Sequence, residues 1–132
     1  MKISVPVSAG ELVDKLTILD IKLSKIKDKN KLAQVNYERK LLQKKYDSLK
    51  ISRVTNKKLI KLRKQLLKLN TALWNIEDEI RKLEQKKEFG SRFIKKARSV
   101  YLTNDRRFII KNKINELLGS AVKEVKEYKK YR

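Results

Sequence analysis

The sequence predicts an all-α fold, an antiparallel helical bundle of two helical hairpins with coiled-coil-like packing. Three observations carry that expectation. Only three Gly and one Pro occur in 132 residues, and 39% of the chain is charged, a bias typical of long helices. Leucine and isoleucine recur at alternating three- and four-residue steps through most of the chain, the repeat of a helix that packs on another helix. Residues that start or stop helices fall between those repeats.

Residues 1–7 read as an extended lead-in. Ile3, Val5 and Val7 alternate with Lys2, Ser4 and Pro6, and Pro6 lacks the N–H that a central strand requires. Ser8 predicts the first helix cap, with Glu11 as the other half of a capping box and Val7 spaced to pack on Leu12. Leu12, Leu16, Leu19, Leu23 and Ile26 then form one seam, while Ile18 and Ile21 fall on another face, so this helix needs two neighbours. Residues 27–30 form the break. In the second helix Leu32, Val35, Leu42, Tyr46 and Leu49 keep a seven-residue pattern that Arg39 interrupts. Residues 8–50 are therefore expected to form the first helical hairpin.

Residues 51–56 read as a connection with Thr55 or Asn56 as the next cap. Leu59, Leu62, Leu66, Leu69, Leu73, Ile76, Ile80 and Leu83 hold a strict repeat beyond it, widened on one side by Ile60, Leu67 and Trp74. Gly90 suits the left-handed end of that helix and Ser91 the cap of the next. A fourth helix follows from about Arg92 to Leu118, where Gly119 and Ser120 end it. Residues 56–118 thus make a long hairpin, and 119–132 a charged tail that is either a short fifth helix or frayed. All of 1–132 is expected to be a single helical domain.

Composition narrows the chemistry. The chain has no Cys and no His, which removes thiolate nucleophiles, the commonest general base and the commonest zinc ligand. No signal-peptide core or membrane-spanning run is present, so a cytoplasmic location is expected. The formal net charge is +21, which favours association with polyanions. From Lys22 to Lys68 seventeen Lys and Arg face three acids, a surplus of +14. An AT-rich coding bias toward Lys, Asn and Ile at solvated positions is the alternative source of that surplus.

Within the fourth helix a polar knot, Asn104, Asp105, Arg106 and Arg107, interrupts the apolar pattern. Asp105 has Tyr101, Leu102, Phe108 and Ile109 as its helical neighbours, so no cation of its own helix reaches it. Folding the long hairpin about Gly90 sets residue 104 level with residue 76. Trp74, Glu77 and Asp78 then become the expected neighbours of Arg106 or Arg107. Three readings follow: an ion-pair network that fixes the register of two leucine seams, a kink capped by Thr103 or Asn104, or a ligand-binding pocket of Trp74, Glu77, Asp78, Asn104, Asp105, Arg106 and Arg107.

The stretches "VPVSAGELVDKLTILDIKLSKI", "LWNIEDEIR", "FGSRFIKKARSVYLTNDRRFIIKNKINELLGS" and "EVKEY" resemble a family of short, uncharacterised, all-helical bacterial and phage proteins. The resemblance leaves out mainly residues 30–60. It implies no activity, and because such genes tend to lie near those for surface-polysaccharide assembly, it implies an accessory role there.

Three functions compete. In the first, Lys57, Lys61, Lys64 and Lys68 recur at 4-3-4 spacing away from the leucine seam and form a ridge that binds nucleic acid or another polyanion without sequence specificity. The second is a homo-oligomeric adaptor, since the helices carry more apolar surface than one hairpin covers. The third is a Mg²⁺-dependent all-α phosphohydrolase using Glu11 and Asp14, with further carboxylates in Glu77, Asp78, Glu79 and Glu84. The first is favoured. It involves no catalytic residue, no metal and no cofactor, and it leaves any protein partner unknown.

Overall fold

The chain is all-α. The computed structural model describes residues 1–131, with Arg132 of the expected tail outside them, and contains four helices: α1 (Ala9–Lys25), α2 (Lys29–Asp47), α3 (Arg53–Gln85) and α4 (Ser91–Leu118). They pack as a bundle in which α1 touches α2, α3 and α4, α3 runs against α4, and α2 packs on α1. α1 fills the centre because its apolar residues cover two faces: Leu12, Val13, Leu16, Leu19 and Ile21 are all buried. Val13 joins Leu59 and Leu66 of α3 and Ile114 of α4 in the innermost cluster, with Tyr46 and Ile51 packed against it from the other hairpin. Full burial of side chains of this size is worth about 1.5–3 kcal/mol each and holds the two hairpins together.

Three of the four helix starts have a side-chain cap. Ser8 accepts the Glu11 N–H at 3.1 Å, and Asp28 accepts the Lys31 N–H at 2.9 Å. α3 begins earlier than the sequence suggested, because Ser52 accepts the Thr55 N–H at 3.1 Å and takes the role expected of Thr55 or Asn56. The turn between α3 and α4 also differs from expectation. Lys87, with φ 55°, takes the left-handed position, while Glu88 N–H bonds Leu83 C=O at 2.9 Å and Lys87 N–H bonds Glu84 C=O at 3.0 Å. Those two bonds satisfy carbonyls at the end of α3 in a Schellman arrangement. Gly90 is extended and precedes Ser91, which is the first helical residue and not a cap.

The pivot of the long hairpin therefore sits near residue 87. Lys96 meets Glu79 at 2.8 Å across it, so residue 104 stands level with about residue 71, not residue 76. After Gly119, which ends α4 in the left-handed conformation, residues 120–131 contain neither helix nor strand. No helix among the described residues is long and apolar enough to cross a membrane.

Candidate functional site

α4 runs unbroken through the polar knot, so the kink reading does not describe it. Arg107 projects from α4 onto Asp14 of α1, a fully buried carboxylate. Its Nε donates to Asp14 Oδ1 at 2.9 Å and its Nη2 to Oδ2, a two-pronged charge-assisted contact. Asn70 of α3 donates to the same Oδ1 at 2.8 Å and to Thr17 Oγ1 at 2.9 Å, and the Thr17 hydroxyl donates to the Asp14 carbonyl at 2.7 Å. Three helices thus converge on one carboxylate. The bonds to Asp14 hold the Arg107 guanidinium above its ordinary pKa against the opposing cost of burial.

One turn along α4, the Lys111 ammonium is buried among carboxylates: 2.7 Å from Glu11, 2.8 Å from Glu124 of the tail and 3.9 Å from Asp14. Burial pulls its pKa down, but the hydrogen bonds to Glu11 and Glu124 and the Asp14 charge outweigh that and raise it. The next turn docks the start of α1. Asn115 Oδ1 accepts the Gly10 N–H at 2.6 Å, and Ser120 Oγ accepts the Ala9 N–H at 3.1 Å. A Cβ at residue 10 would overlap the Lys111 carbonyl oxygen, so this approach of backbone to backbone requires glycine.

The residues singled out from the sequence separate into three places. Asn104 stays with Arg107, its Oδ1 3.5 Å from Nη1. Asp105 and Arg106 turn outward beneath the tail: Asp105 accepts the Tyr131 hydroxyl, and desolvation, followed by the Asp105 charge, raises the pKa of Tyr128. Lys126 lies 5.3 Å from the Phe108 ring centre on the same side. Trp74, Glu77 and Asp78 lie on α3 four to eight residues beyond Asn70, about 6–12 Å further along the axis. Glu77 faces Arg81 of its own helix at 3.8 Å, and the partner of Arg107 is Asp14.

Glu11 and Asp14, the pair considered for metal chemistry, are held by Lys111 and Arg107 respectively. Among the described residues no group of three or more acids is placed to hold a metal ion. Asn70, Lys111 and Asn115 were absent from the sequence-based set. Each is a polar residue next to an apolar one, Asn70 after Leu69, Lys111 after Ile110 and Asn115 after Ile114, and the repeat passes through without marking them.

The second arrangement is on the surface. Lys57, Lys61, Lys64 and Lys68 are all exposed along α3, opposite the buried Leu59 and Leu66. Beside them a shallow hollow of about 540 Å³ opens between α3 and α4, with Lys58, Lys61 and Lys113 around a floor of Leu62 and Leu117 and Glu116 as its one carboxylate. The opposite side of α3 is fastened to the core, so the ammonium groups stand on a rigid rod.

No curated protein and no solved structure matches the chain. A family model does, over residues 1–131, so the likeness extends through the basic stretch 30–60 as well as the two ends. The protein belongs to the family of unknown function DUF6165.

Proposed function

We propose that the protein is a non-enzymatic binding module that engages a polyanion, foremost the phosphate backbone of nucleic acid, through Lys57, Lys61, Lys64 and Lys68. The supporting observation is the exposure of all four on one face of a 33-residue helix whose other side is buried. They span about 16 Å at 1.5 Å per residue, with steps of about 4.5–6 Å that suit successive phosphates. No aromatic side chain interleaves with them as base-stacking would require, which favours duplex over single-stranded nucleic acid. Beside the ridge only Arg53 and Gln65 carry the forked groups that can read base edges, too few for sequence specificity. An acidic polysaccharide presents the same linear array of anions, and the likeness to proteins encoded near surface-polysaccharide genes makes it the natural second ligand to compare.

The test is a titration of labelled duplex DNA, single-stranded DNA and an acidic polysaccharide, each repeated across a salt series. Four phosphate contacts predict a slope of log K against log salt of about −3.6 for duplex DNA. Replacing all four lysines with Gln should remove most of that slope. Absence of binding at low salt, or a slope unchanged by the four substitutions, overturns the proposal.

A further inference from the structure

The face of α3 next to the lysine ridge carries an apolar stripe that starts at the rim of a hollow between Ile60 and Tyr46, Leu49 and Ile51. A step of about 100° per residue places Ile60, Leu67 and Trp74 in one narrow stripe about 90° round the helix from Leu59 and Leu66. Ile60 is 43% exposed and Leu67 37%, and Trp74 is half-buried. The repeat is a heptad, the spacing by which one helix meets another along a seam.

We propose that this stripe is the seam of a symmetric homodimer, in which α3 lies antiparallel to α3 of a second copy with Leu67 on the two-fold axis. The stripe is self-complementary about that residue. Ile60 and Trp74 stand seven residues to either side, so each Ile60 meets the Trp74 of the other copy, and the two Leu67 side chains meet at the centre.

The two-fold also brings Arg53 level with Arg81 of the second copy, and the carboxylate that answers these cations is Asp78. Asp78, eleven residues past Leu67, is exposed and makes no ion pair among the described residues. The two-fold sets it level with residue 56 of the second copy, on the side of the helix that carries Arg53 and Lys57. A parallel pairing would instead set Lys57 on Lys57 and Asp78 on Asp78, so it is rejected by like charges. The strip from residue 53 to residue 81 is about 42 Å long and about 10 Å wide, which buries roughly 800 Å² in all. That is below a standard interface, so the dimer is a weak one, with dissociation in the micromolar range or above.

A two-fold axis between antiparallel helices keeps each side of the pair on the same side. Both lysine ridges therefore share one face, and together they extend the cationic track from about 16 Å to about 30 Å. This consequence rests on the polyanion proposal. The seam itself does not.

The absence of native cysteine provides a direct test. In the full chain, Leu67→Cys should crosslink to a covalent dimer under mild oxidation far faster than Ile94→Cys, which introduces a thiol at an exposed site on α4. Sedimentation of the wild type without nucleic acid, up to submillimolar concentration, should show mass rising from 15.6 kDa toward twice that. Leu67→Lys should abolish the rise. Lys57→Glu and Asp78→Lys should each weaken association, and the two together should restore it. A wild type that stays monomeric throughout, or a Leu67→Cys chain that crosslinks no faster than the control, overturns the seam and leaves the single-copy ridge to be judged by its salt slope.

Discussion

Asp14 has no exposed surface, and Arg107 and Asn70 between them supply the hydrogen bonds that water would have given. Such a pair is weak evidence of net stability, since each charge lost its hydration, but removing one partner strands the other. Arg107→Met is therefore expected to cost roughly 3–5 kcal/mol by urea unfolding. Asp14→Val combined with Arg107→Met should cost less than Arg107→Met alone. A loss below about 1 kcal/mol for Arg107→Met, together with lost polyanion binding, would make the cluster a ligand site instead. Arg107 was legible in the sequence as a residue in need of a buried anion, because it interrupts an apolar arc. Its partner was not. Asp14 lies 93 residues away on α1 and looks like an ordinary acidic residue of the second helical turn until the bundle closes. Glu124 was hidden for a similar reason, since nothing in a charged tail announces which carboxylate reaches a buried ammonium.

At the scale of elements, the leucine repeat was sufficient to place α1 and α3, whereas α2 and α4, whose patterns Arg39 and the polar knot interrupt, were bounded by the break, cap and stop residues around them. The register between α3 and α4 was not recoverable from that repeat, since identical leucine seams pack equally well one turn apart. It depends on which residue of the turn goes left-handed, and glycine was the natural choice over lysine. Lys87 takes the position at a conformational cost, so Lys87→Gly should raise stability by up to about 1 kcal/mol in thermal or urea unfolding. A destabilised Lys87→Gly protein would mean that the side chain itself holds the turn. The shift of pivot also explains why Glu77 and Asp78 miss the arginines by about two turns. It leaves Asp78 outside the bundle, level with the cations of a second copy in the proposed dimer.

The molecule as a whole carries +21 on 132 residues, a charge that the core of one small bundle cannot make use of. Most of it lies outside the ion pairs, and the four ridge lysines are all exposed, with Lys61 at the rim of the hollow between α3 and α4. Net charge was plain in the sequence, and so was the ridge, because its 4-3-4 spacing sets it opposite the leucine seam that the bundle buries. Bulk charge alone would attract a polyanion evenly over the surface. A ridge attracts it to one line. Lysine footprinting by acetylation, read by mass spectrometry with and without duplex DNA, separates the two. Protection is expected to concentrate at Lys57, Lys61, Lys64 and Lys68, with Lys29, Lys31 and Lys44 on α2 modified as fast as in the free protein. Equal protection of both sets, or protection of α2 with the ridge left open, would contradict this expectation.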